Sequence, residues 1–148
     1  MEQISIAIFW GGLRMPKAIN FIVNWKVYPF DVMVSIGETT PIVIGRIEKL
    51  GYKLNTLEKD ALEIKSSGRT VGRTVMLENG ATVLRLKRFD TLPINFSILS
   101  HEVFHCVEFL MDRIGIPLTD SSSEAYSYAI QYLTNEILAK LRLSDRKR

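Results

Sequence analysis

Residues 70–89 read TVGRTVMLENGATVLRLKRF, and this stretch decides the fold because it predicts a β-hairpin. Two strand-like runs, Thr70 to Glu78 and Ala81 to Phe89, are joined by Asn79-Gly80, a dipeptide that favours a tight turn between antiparallel strands. Apolar and polar residues alternate in the second run, which is typical of a strand with one wetter face. The stretch therefore predicts a small, mostly antiparallel sheet.

Two helices are predicted after the hairpin. The first runs from about residue 97 to 114, and Gly115 and Pro117 end it. The second runs from about residue 122 to 143, with apolar residues every four positions along one side. Together with the hairpin they predict an α+β fold in which the sheet packs on both helices.

The chain before the hairpin carries weaker signals. Ile4–Trp10 could form a buried strand, and Lys26–Ile36 is a strand-like run rich in β-branched and aromatic residues. A helix is predicted to begin with Thr40 as its N-cap and to end near Gly51. Residues 52–69 are predicted to be a loop that leaves room for a short helix or strand.

Composition indicates one soluble domain spanning residues 1–148. Hydrophobic residues make up 47% of the chain and charged residues 24%, which is ordinary for a globular protein. The net charge is +3, and the tail at about residues 140–148 holds five basic residues and one acid. Because the body of the domain is then about neutral, no nucleic-acid partner is expected.

Cysteine usage and the N-terminal segment bear on the compartment. Cys106 is the single cysteine, so an intrachain disulfide is excluded. The start of the chain has an acid, Glu2, where a signal peptide carries basic residues, and the apolar run at residues 4–13 is too short to cross a bilayer. We expect a protein that is cytoplasmic or packaged in a virion, and no membrane partner.

The sequence HEVFH at residues 101–105 holds the only two histidines of the chain. Four residues make about one helical turn, so both imidazoles project from the same face of the predicted helix. Glu102 lies beside His101, where its carboxylate could polarise a metal-bound water. This is the H-E-x-x-H pattern of zinc-dependent peptidases, and it predicts Zn²⁺ as cofactor.

A catalytic zinc ion usually has three protein ligands, so two histidines need a partner. The remaining candidates are carboxylates, and Glu124, nineteen residues after His105, is the best of them because the last helix can fold back onto the first. Another interpretation is open: Ser121 and Glu124 have the spacing of a capping box. Glu108 and Asp112 share a helix face with His105. They fit a solvated face best, and a contact with the histidine or a role as alternative metal ligand is also open.

The motif and the distal glutamate together resemble the gluzincin metallopeptidases, the group that includes thermolysin. The resemblance covers roughly residues 70–142 and implies that His101, His105 and Glu124 bind zinc while Glu102 is the general base. It also implies that the edge strand of the hairpin pairs with an extended peptide substrate. Short chains with HEVFH followed by SSEAYSY, here at residues 122–128, also resemble proteins encoded by bacteriophages.

The chain departs from the gluzincin pattern in two ways. Tyr128 stands where the larger family has an aspartate that orients a ligand histidine. There is also no spare histidine to stabilise the oxyanion, a role that Tyr126 or Tyr128 could take. Cys106 points away from His105 around the helix and is expected to be a core thiol.

The sequence thus predicts a small zinc-dependent metallopeptidase in which Glu102 is the general base and the partner is a peptide or protein substrate. The alternative is a non-catalytic structural or interaction protein, for example a phage virion component, that keeps a metallopeptidase-like fold and assembles into a larger particle.

Overall fold

A computed structural model describes residues 18–65, 68–90 and 92–146. The strands in these ranges are β1 (Ile19–Asn24), β2 (Asp31–Ile36), β3 (Gly72–Met76) and β4 (Thr82–Leu86). The helices in the same ranges are α1 (Thr40–Lys49), α2 (Thr56–Ala61), α3 (Pro93–Arg113) and α4 (Ser123–Arg146). The predicted α+β class is confirmed.

The four strands form one sheet in the order β1-β2-β4-β3. β1 and β2 are antiparallel, as are β3 and β4, but β2 and β4 run parallel in the centre. The sheet is therefore mixed, and the parallel pair is a feature that the sequence did not predict. β3 lies at one edge of the sheet, next to α3.

The predicted hairpin is confirmed, with a slightly longer turn than the two-residue one expected. The chain reverses between Leu77 and Ala81, whose backbone N–H and carbonyl groups bond at 2.8 Å. Gly80 adopts a φ of 92°, and a Cβ atom there would lie 2.7 Å from the ring of Phe30. Both facts require glycine at this turn.

The sheet separates two hydrophobic cores because its central strands are buried on both faces. On one face Val34 and Leu84 pack with α3 and α4, and on the other Met33 and Val83 pack with α1 and α2. The long helix α4 contributes Leu133, Ile137 and Leu141 to the first core, along the apolar side predicted from the sequence. The last two predicted helices are thus both observed.

Two expectations from the sequence, for the start of β2 and for one face of β4, meet a different outcome. The strand predicted from Lys26 begins only at Asp31, because Lys26 itself has a positive φ of 65° in the turn that follows β1. The wetter face predicted for β4 is buried, and Arg85 within it is 2% exposed. The strand predicted at residues 4–10 lies outside the described residues. No helix in the described ranges combines the length and apolar character needed to cross a membrane.

Candidate active site

Helix α3 carries the HEVFH motif and has one apolar face and one open face. Leu99, Val103 and Cys106 lie among the buried residues that anchor the helix on the sheet. His101 and Glu108 lie on the exposed face, and the His105 side chain is 39% exposed. The buried face packs the helix on the sheet, and the helical periodicity of the sequence places both histidines on the opposite, more exposed face.

The two imidazoles face each other at close range. His101 Nε2 and His105 Nε2 lie 3.1 Å apart, and the ring centroids are separated by 4.7 Å. Two nitrogens bound tetrahedrally to one zinc ion at about 2.0–2.1 Å would lie about 3.3 Å apart. The 3.1 Å separation is that of a hydrogen bond between the two rings, and it is also close to the spacing of two ligand positions on a zinc ion.

Glu108 contacts the ring of His105 at Nδ1, the ring nitrogen that does not face His101. Its Oε2 lies 3.0 Å from His105 Nδ1. A proton on Nδ1 that is donated to this carboxylate leaves the Nε2 lone pair directed at His101. The contact matches the alternative in which Glu108 contacts His105, although the Glu108 side chain remains 47% exposed.

Glu102 turns away from the open face and lies against strand β3. It is 5% exposed, and its Oε2 accepts a hydrogen bond of 2.6 Å from the hydroxyl of Thr74. The same hydroxyl lies 3.2 Å from the backbone carbonyl oxygen of Glu102. This clamp holds the carboxylate next to His101 with one oxygen, Oε1, left without a hydrogen bond from a described residue.

Gly72 allows β3 to approach the helix at this point. A Cβ atom at Gly72 would lie 2.8 Å from Glu102 Oε1, 2.9 Å from Glu102 Cγ and 3.0 Å from Ile98 Cγ2. A side chain at this position would be too close to these atoms. The position of the Glu102 carboxylate therefore depends on residue 72 being a glycine.

Cys106 is a buried thiol beneath the site, as predicted. Burial raises its pKa well above the ordinary range, the Glu102 carboxylate adds to this rise, and a hydrogen bond with Thr74 opposes it only in part. The thiol is therefore protonated at neutral pH and is not a nucleophile here.

A cleft of about 400 Å³ opens beside His101 and Glu102. Its other walls come from the end of the loop before β3, from β3 itself and from the first turns of α3: Arg69, Thr70, Val71, Gly72, Ser97 and Ile98. Larger clefts, of about 620 and 470 Å³, are not lined by the histidines or by Glu102. The cleft at β3 thus gives a small ligand access to His101 and Glu102.

The structure does not bring Glu124 to the histidine pair. Among the described residues, no three His, Cys, Asp or Glu side chains form a group that could hold a metal ion. Glu124 is exposed in the first turn of α4, and it makes no hydrogen bond or ion pair with any described residue, so the capping box with Ser121 is not formed either. The resemblance to the gluzincins is therefore wrong, because its three-ligand centre is missing.

No protein family, no curated protein and no solved structure shows significant similarity to the chain.

The tyrosines expected to stabilise an oxyanion have other surroundings. The hydroxyl of Tyr126 donates to the carbonyl of Ile116 at 2.9 Å, and its side chain is buried, so it serves packing. Tyr128 is 66% exposed. Sequence reasoning also missed Arg69, Gly72 and Thr74, and only the glycine left a signal, since a glycine inside a strand-like run indicates a close approach.

Proposed function

We propose that the protein is a zinc-dependent peptide hydrolase in which His101 and His105 hold the metal ion and Glu102 is the general base. The observation that supports the proposal is the 3.1 Å separation of the two Nε2 atoms, which fits two positions of one metal ion. The proposal names two protein ligands where a catalytic zinc site usually has three, and Glu124 as the third ligand stays a prediction.

The proposed chemistry uses a metal ion at the two histidines and the carboxylate of Glu102. A bound zinc ion would lower the pKa of a water molecule and polarise a peptide carbonyl. Glu102, held through Oε2 by Thr74, would accept the proton of the attacking water on its other oxygen and deliver it to the leaving amine. Gly72 and Ile98 would exclude bulk water from the carboxylate.

The first experiment measures zinc content and peptide hydrolysis on the same preparations. We expect about one zinc per chain for wild type and for Glu102→Gln, with hydrolysis reduced at least about 100-fold in the latter. His105→Ala should lose the metal. Glu63→Gln, which removes an exposed carboxylate at another cleft, is the matched control and should change neither quantity.

Two results would overturn the proposal. They are a wild-type protein that takes up no zinc after metal-replete purification, and a Glu102→Gln variant that cuts peptides as fast as wild type. Glu124→Ala decides the remaining ligand: a loss of metal would show that Glu124 is recruited to the site, and an unchanged zinc content would show that it is not.

One observation favours a second candidate, a non-catalytic structural or interaction protein such as a component of a virus particle. Among the described residues only two histidines meet, and a site with two protein ligands holds metal less firmly than a site with three. Stable assembly into a large particle, with no hydrolysis by the zinc-loaded chain, would favour this candidate.

We also propose that the protein works in the cytoplasm or within a virus particle. The support is Cys106, which is buried and unpaired, as is usual for proteins that do not depend on an oxidising compartment. A fractionation experiment on producing cells tests this location.

A further inference from the structure

Arg69 brings a positive charge into the cleft that holds His101 and Glu102. Its side chain makes no hydrogen bond or ion pair with any residue in the described ranges, and the residue is exposed. Four other arginines bond to described residues: Arg46 to Glu38, Arg73 to the carbonyl of Ala61, Arg85 to the carbonyls of Glu38 and Leu62, and Arg113 to the carbonyls of Leu77 and Glu78. Arg88, like Arg69, makes no such contact with a described residue. Arg69 thus keeps its donors available to a ligand.

The remaining walls of the cleft are apolar or carry hydroxyl groups. Val71 is 45% exposed, and Ile98 is half-buried beside it. Thr70 and Ser97 add hydroxyl groups. Such a cleft can enclose a short stretch of peptide, with its charged group at Arg69 and the bond to be cut at the histidines.

Charge decides which group of a substrate belongs at Arg69. Among the residues that line the cleft, Arg69 carries a positive charge and Glu102 carries a negative charge. A guanidinium group, in contrast, binds a carboxylate through two parallel hydrogen bonds. Arg69 is therefore the wall residue suited to bind an acidic group of the substrate.

We propose that Arg69 binds a carboxylate of the substrate, so that the preferred substrates are peptides with an acidic group near the bond that is cut. This inference rests on the proposed peptide hydrolysis. The carboxylate has two sources, the C-terminus of the peptide and an Asp or Glu side chain, and the same Arg69 would recognise either.

The test uses pools of randomised hexapeptides with a free or an amidated C-terminus, and mass spectrometry of the products. We expect wild type to cut peptides with a carboxylate near the cleavage point, and Arg69→Ala to lower kcat/KM on them by about 10- to 100-fold, the size of one charged hydrogen bond. The loss should lie mainly in KM. Preference for the free C-terminus identifies a terminal carboxylate, and preference for Asp or Glu in the amidated pool identifies a side chain.

Arg88→Ala is the matched control, since Arg88 is also exposed, loses the same charge and lies outside this cleft. It should leave the preference unchanged. Arg69→Lys keeps the charge but not the two-pronged geometry, and we expect it to recover only part of the lost activity. Equal preference for acidic peptides in wild type and Arg69→Ala would overturn the inference.

Binding of the same pools to zinc-loaded Glu102→Gln, measured at equilibrium, separates this inference from the proposed function. Arg69-dependent binding of acidic peptides without hydrolysis by wild type would overturn the hydrolase and keep the carboxylate site. Hydrolysis without any preference for acidic peptides would keep the hydrolase and overturn the carboxylate site. Neither binding nor hydrolysis would overturn both.

Discussion

Gly72 shows how a single residue without a side chain sets the position of the proposed base. In Gly72→Ala the new Cβ atom meets the Glu102 carboxylate and Ile98, so Glu102 must move away from Thr74. We expect a loss of about 1–3 kcal/mol in the free energy of unfolding, which is typical of overpacking, measured by urea denaturation. Peptide hydrolysis should fall further than stability does, because the carboxylate leaves its place beside His101.

Two controls make the result specific. Gly45→Ala, in α1, meets no atom within 4 Å and should stabilise the protein by about 0.5–1 kcal/mol, the difference in helix propensity. Combining Gly72→Ala with Glu102→Ala should recover part of the lost stability, since the clashing side chain is gone. If the double variant is no more stable than the sum of the single changes predicts, the contact between Gly72 and Glu102 is not the cause.

The sequence could predict that His101 and His105 meet, because their spacing on a helix is a local property. It could not predict that Glu102 turns inward, since that depends on which residue of β3 faces it. Thr74 reaches Glu102 only because the register of the hairpin and the path of α3 place them side by side. The same reason explains why Glu124 was assigned to the site: the relative position of two helices is not encoded in residue spacing.

At the scale of secondary-structure elements, strong periodicity predicts the hairpin, α3 and α4. It does not predict the parallel pairing of β2 with β4. β1 carries a mixed pattern of buried and exposed residues, and the parallel pairing of β2 with β4 joins segments far apart in the chain. Such pairing reflects tertiary packing and leaves little trace in local sequence. Arg85 is an example, since its alternation with Leu84 and Leu86 suggested a wetter face that α1 and α2 in fact cover.

The junction between β2 and α1 is held by the carboxylate of Glu38. Burial raises the pKa of Glu38, but hydrogen bonds from Arg46, Ser35 and Asn20 and the charge of Arg46 outweigh it, so the pKa is lowered overall. A lowered pKa in the folded state means that Glu38 contributes stability above its unfolded pKa of about 4.3 and loses it as pH falls through the folded pKa.

We therefore expect Glu38→Gln to cost about 1–3 kcal/mol of unfolding free energy near pH 7, the size of a hydrogen-bonded charge. The gap between variant and wild type should close as pH falls below about 4, where the carboxyl group becomes protonated. Urea denaturation at a series of pH values measures it, with Glu63→Gln as the exposed control. A gap that stays constant down to pH 2 would show that the charge of Glu38 is not what stabilises the junction.

For the whole molecule, the two cores have different roles. The core beneath α1 and α2 supports the sheet, whereas the core beneath α3 and α4 also fixes the helix that carries the histidines. Cys106 belongs to the core beneath α3 and α4 and lies directly under Thr74 and Glu102. Its reactivity therefore reports whether α3 separates from the sheet while the rest of the protein remains folded.

We expect the Cys106 thiol to react with iodoacetamide at least about 1,000-fold more slowly in the folded protein than in urea, because only global unfolding exposes it. Cys106→Ala combined with Ser127→Cys places a thiol at an exposed site and should react at the same rate in both conditions. Added zinc should slow the reaction of Cys106 further, since a ligand of the folded state lowers the unfolded population. Reaction of Cys106 in the folded protein at the rate of Ser127→Cys would show that α3 opens on its own, and the Thr74–Glu102 clamp would then be too short-lived to hold a general base.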